Sequence, residues 1–259
     1  MAKVKTEQNF MESMAGAGLE NISPDDVIIP RIKVLQALSP ELDDSAANFI
    51  KGSKVGDFIL SVPGVSLGKS ITIIPLAART YWMEWQPNRG GFVARHEPGS
   101  IEVDKTDFSN WVKVDNGNDV QESRDWFVLV KDMESYGPVI MSFTSTQIKA
   151  SKTLMSMISM ERTPGGNIAP IFAFNWILES IKNTNDKGSW YNISSTPKKG
   201  RMITQKEYTN FIENARGVVE VIQSQGLPAP HTEQIEHKEA PGKKPTAKAR
   251  KAGVEEIDY

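Results

Sequence analysis

Apolar and polar positions change rhythm several times along the 259 residues. Residues 1–22 are small and polar without periodicity, and the first sign of order is the turn Ser23-Pro24-Asp25-Asp26. In the following VIIPRIKVLQALSPEL, Ile29, Ile32, Leu35 and Leu38 recur at helical spacing, but Pro30 restrains Ile29 and Pro40 closes the run. A short helix or an extended arm packed on the core is expected there. From Asp57 the pattern becomes strand-like. DFILSV, SITIIPLAARTYWMEW, GGFVARHE, NWVKVD, RDWFVLVKD and GPVIMSFTS follow one another between Pro-Gly, Asn-Gly and Tyr-Gly turn signals.

After Ser145 the period lengthens. TSTQIKASKTLMSMISM sets Ile148, Leu154, Met155 and Ile158 on one stripe, which predicts a helix begun by a Ser or Thr cap. IAPIFAFNWILESIKN and GSWYNISSTPK read as two more strands, joined by a hairpin turn over 183–188. Thr204 to Gln225 reads as a second helix, with Thr204 and Glu207 in capping-box spacing. Beyond Gly226 the chain is Pro, Ala, Lys and Glu, too poor in apolar groups to offset the entropy of ordering. The expected organisation is a flexible segment 1–22, a single mainly β (α+β) domain 23–225, a disordered linker 226–253 and an acidic-aromatic tip 254–259.

Composition removes several functions. No cysteine is present, which excludes disulfides, Cys-ligated zinc and thiol catalysis. No stretch approaches the roughly 18 apolar residues a membrane span needs, and the start lacks an apolar signal core. His96, His231 and His237 lack ligand spacing, and neither GxSxG nor GxxxxGK[ST] occurs, so no enzyme, metal or cofactor is expected. Asp57, Asp104, Asp125 and Asp132 remain as scattered carboxylates that a magnesium-dependent nuclease could use, although solvated strand ends are the plainer reading.

The positive signal is aromatic and basic residues interleaved on strands: Arg79, Tyr81, Trp82, Trp85, Arg89, Phe92 and Arg95, then Arg124, Trp126, Phe127 and Lys131. Single-strand binders use this mixture, because aromatic faces stack on any base for roughly 1–3 kcal/mol while cations follow the phosphates. Alternation places Arg79, Tyr81, Met83 and Trp85 on one side of a strand and Thr80, Trp82 and Glu84 on the other. One side is expected to bind and the other to pack; against this stands the reading that the aromatics are core. A second cluster gathers Lys182, Lys187, Trp190, Tyr191, Lys198, Lys199 and Arg201 around the 183–188 hairpin, as a clamp for a strand or a solubilised loop. Lys149 and Lys152 fit the wet face of their helix, or an extension of the basic track.

Charge is segregated behind a net of −2. Between Lys238 and Lys251 lie six basic residues and one acidic residue, whereas Glu255, Glu256 and Asp258 surround the apolar Ile257 and Tyr259. That last segment suits a basic, apolar-lined pocket on a partner, or could occupy the chain's own basic groove.

IPRIKVLQALSPEL at 29–42, VGDFILS at 55–61, STQIKASKTLMSMI at 145–158 and NDKGSWYNI at 185–193 make the chain similar to a family of tailed-phage single-stranded DNA-binding proteins. The resemblance implies an OB-like five-stranded β-barrel with extra strands or a hairpin and two or three helices, binding DNA in a groove and partners through the tip. It implies sequence-independent coating of single-stranded DNA in phage replication or recombination, in the cytoplasm of the infected bacterial host. Bacterial counterparts end in Pro-Phe, and this chain in Ile257-Asp258-Tyr259. A phage DNA polymerase, helicase or primase is therefore the expected partner of the tip. Rival readings are a recombination mediator or strand-annealing protein, and an adaptor without a nucleic-acid role. Oligomeric state stays open, a homo-oligomer included.

Overall fold

The structure, a computed structural model, describes residues 14, 17, 28–105, 111–186 and 188–225, with the side chains of Arg89 and Gln225 left out. The expected segment 1–22 (Met14 and Ala17 apart), the linker 226–253 and the tip with Glu255, Glu256, Ile257, Asp258 and Tyr259 lie outside the described residues. In chain order the elements are β1 (Arg31–Val34), β2 (Phe58–Leu60), β3 (Val65–Gly68), β4 (Ser70–Trp85), β5 (Phe92–His96), β6 (Val103–Asp104) and β7 (Trp111–Lys113). They continue with β8 (Asp119–Val130), β9 (Val139–Thr144), α1 (Ile148–Met160), β10 (Phe174–Asn185), β11 (Gly188–Ile193), β12 (Lys198–Met202) and a final helix α2 over 205–225.

The mainly β class expected from the pattern is what the chain forms: a curled mixed sheet with two helices. Its strand order is β11-β10-β4-β8-β9-β1-β2-β3, with β12 on β10, β5 on β4, and the β6–β7 pair on β8. The spine is the long antiparallel pair of β4 and β8, in register from Ile73↔Val130 to Trp85↔Asp119. A bulge between Pro75 and Ala77 accommodates a proline that has no N–H to give the ladder.

Strand alternation divides most apolar residues between two large cores, and Leu35, Ile50 and Ile59 form a third, smaller cluster. Ile71, Ile73, Trp126, Val128, Met141, Phe143 and Trp176 face the inside of the curl with Leu154 and Ile158 of α1. Ile74, Leu76, Phe127, Leu129 and Ile140 face outward and are covered by Ile212, Ala215 and Val219 of α2. A sheet covered on both faces explains the unbroken apolar run Trp126–Val130, where a half-exposed strand would alternate.

Of the 28–42 segment, Arg31–Val34 takes the extended form, this β1 lying parallel to β9 and antiparallel to β2, and Pro40–Leu42 makes a 3-10 turn. Ladder bonds on both sides outweigh the helical spacing of its apolar residues. Just past β1, the Gln36 side chain pairs like a short strand with β11: its Nε2 donates to the Tyr191 carbonyl and its Oε1 accepts from the Tyr191 N–H, both at 2.9 Å. That amide ties the two ends of the sheet together. The Tyr191 ring packs over Gly56, whose φ of 88° and lack of a Cβ leave room for it. α2 begins with the expected capping box of Thr204 and Glu207. α1 differs from expectation, since no Ser or Thr side chain caps it and a 3-10 turn, Ser145–Gln147, leads in instead.

Candidate nucleic-acid interface

Beyond the two cores, β4 and β8 continue as a ribbon from Arg79 to Trp85 and from Asp119 to Asp125, carrying β5, β6 and β7. On the side that α1 shares, Trp82 and Trp111 meet edge to face with centroids 5.2 Å apart. Lys105 Nζ sits 4.8 Å from the first ring centroid and 4.3 Å from the second. Across from them α1 presents Lys149, Lys152, Thr153 and Ser156. Together with Lys105, Trp111, Gln121, Glu122, Ser145, Thr146 and Ile148, these four residues line a groove of about 700 Å³. Lys105, Lys149 and Lys152 form no ion pair among the described residues, whereas Arg124 is engaged by Glu122 at 2.7 Å. The groove therefore combines the Trp111 ring, against which Trp82 packs, with three cations that form no ion pair among the described residues.

A buried carboxylate fixes this wall. Glu84 accepts from the side-chain amides of Asn116 (2.9 Å) and Asn118, lies 2.6 Å from His96 Nε2, and pairs with Lys113 at 3.3 Å. It thus joins β4, β5 and the β7–β8 turn. Burial by itself would raise its pKa, but these four hydrogen-bonding partners outweigh that and lower it from 4.5 to about 2. A carboxyl with a depressed folded-state pKa contributes stability above its unfolded value and loses it as pH falls toward the folded one. The stability gap between wild type and Glu84→Gln, read by urea denaturation, should thus be full near about pH 7 and shrink below about pH 4.5. A gap that stays constant down to about pH 3 would contradict the role of this carboxylate.

The opposite side of the ribbon holds a packed cationic cluster. Tyr81 is 7% exposed and lies between the guanidinium groups of Arg79 and Arg95, at 5.4 and 5.7 Å from its centroid. Arg79 pairs with Glu97 at 2.6 Å and reaches the carbonyl of Gln223 on α2 at 3.4 Å. Arg31 donates to Ser142 Oγ at 3.1 Å. Burial lowers the pKa of both Arg31 and Arg95, and the charge of Asp125 works against that in each case. Phe92 packs edge-on against Trp85 with centroids 5.7 Å apart.

The division into one binding and one packing face does not describe this ribbon, because each face is core near α1 or α2 and polar-aromatic beyond. Trp126 belongs to the core at 1% exposure, edge-on to Phe143 and donating from Nε1 to Ser151 Oγ of α1 at 2.8 Å. Tyr81 is likewise too enclosed to offer a stacking face. Lys131 lies just past the Ile73↔Val130 pair, seven residues beyond Arg124, or about 23 Å along an extended strand, away from the tryptophans. The Arg89 side chain and Lys187 lie outside the described residues.

In the second cluster Lys182 is exposed on β10, Trp190 is half-buried on β11, and Tyr191 is spent on packing against Gly56. The other three cations are compensated: Lys198 by Glu179 at 2.6 Å, Lys199 by Glu161 at 2.8 Å, and Arg201 by Glu207. Among the described residues no three His, Asp or Glu side chains converge as a metal site requires. Lys105 and Trp111 were not among the residues expected to bind. Trp111 lies in a run recognised as a strand, but nothing local signals that the chain folds it onto Trp82. Lys149 and Lys152, three apart on a helix, were open to both readings, and the groove places them on its wall.

No helix among the described residues is long and apolar enough to cross a membrane. Residues 2–227 match the model of a protein family described as Pam3 phage gp34-like protein. No curated protein and no solved structure matches.

Proposed function

The chain belongs to the Pam3 phage gp34-like family, a family of phage proteins, and we propose that it is a sequence-independent single-stranded DNA-binding protein of phage replication or recombination. It coats the strand stoichiometrically in the infected host, and its segment 254–259 recruits replication proteins such as a phage polymerase, helicase or primase. The observation that carries this reading is the groove lined by Lys105, Trp111, Lys149 and Lys152, with Trp82 packed edge to face against Trp111.

An OB-like reading of the barrel supports it. With β4, β8, β9, β10 and β11 as the five strands, strand one lies between strands two and four, and α1 falls between strands three and four. OB folds bind oligonucleotides with the loops joining strands one to two and four to five, beside the face of strands two and three. Here those loops are the segment 86–118, which carries Lys105 and Trp111, and the β10–β11 turn between Lys182 and Trp190.

The test is quenching of tryptophan emission by poly(dT), with duplex of equal length as competitor. Binding should prefer the single strand and weaken with salt at a log–log slope of about −0.7 per phosphate contact. Failure to bind any nucleic acid at low salt would favour the adaptor reading instead.

A further inference from the structure

The parallel pair of β1 and β9 is short. It is in register only at Arg31↔Ile140 and Ile32↔Met141, and past those positions the two strands part around a cleft of about 230 Å³. Ile32, Val34, Met141 and Ile193 give the cleft apolar walls, while Arg31, Lys33, Ser142 and Gln147 give it polar ones. That is less room than the roughly 300–1,000 Å³ of pockets enclosing a drug-sized ligand, and it suits a single flat ring system.

The polar walls differ in how far they are engaged. Arg31 donates from Nη1 to Ser142 Oγ at 3.1 Å, feels the charge of Asp125 and forms no ion pair among the described residues. Lys33 Nζ lies 3.3 Å from Glu41. Gln147 is half-buried, and its side-chain amide has no hydrogen-bond partner among the described residues. An amide carries donors and an acceptor together, so by rotating it can meet the edge of any base.

One short turn joins this cleft to the lysine groove. Ser145 and Thr146 of the 3-10 turn Ser145–Gln147 line the groove, and Gln147, its last residue, lines the cleft. The turn is fixed from β11, where Nδ2 of the buried Asn192 donates to Thr146 Oγ1 at 3.2 Å. Single strands are commonly read with bases splayed out, their faces packed and their edges hydrogen-bonded.

We propose that the cleft between β1 and β9 receives one base of the strand held in the lysine groove, with its faces on the apolar walls and its edge on Gln147. Arg31 then stands beside the adjoining phosphate. This inference rests on the single-strand reading and adds a base-holding subsite to it.

The test sets a base-bearing chain against one without bases. Full-length wild type, Gln147→Ala and Lys149→Ala are titrated, by fluorescence anisotropy at low salt, into labelled oligo(dT) and into an abasic phosphodiester chain of the same length. Gln147→Ala should weaken oligo(dT) binding at least about fivefold and leave the abasic chain within about twofold of wild type. Lys149→Ala should weaken both chains by a similar factor, since its contact is to phosphate. The melting temperature of Gln147→Ala should not change, because its side chain holds no other group in place. Wild-type affinity of Gln147→Ala for oligo(dT), or an equal loss on the two chains, would overturn the subsite while leaving the groove standing. Wild-type protein that binds neither chain would overturn the single-strand reading itself, and the subsite with it.

Discussion

Replacing Lys105, Lys149 and Lys152 together by alanine is expected to weaken single-strand binding by roughly 100-fold at low salt and to flatten the log–log salt slope by about 2. The figure follows from three phosphate contacts at about 0.7 each. None of the three lysines has an ion pair among the described residues, so each is free to exchange its counterions for phosphate. The informative control is the triple Lys198→Ala, Lys199→Ala, Arg201→Ala. Those cations already face Glu179, Glu161 and Glu207, so their removal should change affinity less than about threefold, as expected where a local carboxylate competes for the cation. Both proteins should fold, since the substituted side chains lie on the surface. Titrations at several salt concentrations separate the outcomes: equal losses in the two triples would mean that the groove beside α1 is not the nucleic-acid path.

Trp126→Ala should have the largest effect on stability. The side chain is wholly buried, packs on Phe143 and donates to Ser151 of α1. Its truncation leaves a large cavity and an unpartnered hydroxyl, at a cost of roughly 3–5 kcal/mol. Trp111→Ala, by contrast, removes a half-buried ring at the groove wall and should chiefly weaken binding, with a loss of up to about 3 kcal/mol in stacking. Urea denaturation beside DNA titration gives each mutant two coordinates. A Trp126→Ala protein of undiminished stability that binds poorly would place that ring in the groove.

These contrasts show where the sequence informs and where it stops. Six aromatics and their neighbouring arginines were rightly seen as concentrated on β4, β5 and β8, because strand period and turn chemistry are written in adjacent residues. The surroundings of individual side chains are not written there, because the deciding partner lies far along the chain. Trp126 is turned into core by Ser151 and Phe143, Lys199 is neutralised by Glu161 38 residues away, and Tyr81 is covered by Arg95 from another strand. Trp111 and Lys105 join Trp82 only because β6 and β7 fold back along β8.

Sequence alone therefore determined the mainly β class, the long strand through Ser70–Trp85, the β10–β11 hairpin, the capping box that starts α2, and the segregation of charge toward residues 238–259. Each rests on propensity, periodicity or composition, which act over a few residues. Tertiary structure decided that 31–34 would be a strand, that β4 and β8 would be buried on both faces near the helices, and which cations would be left without a carboxylate. Those outcomes depend on ladder partners, covering helices and counter-charges supplied by distant segments, and pairwise contacts of that kind leave no periodic trace in one chain.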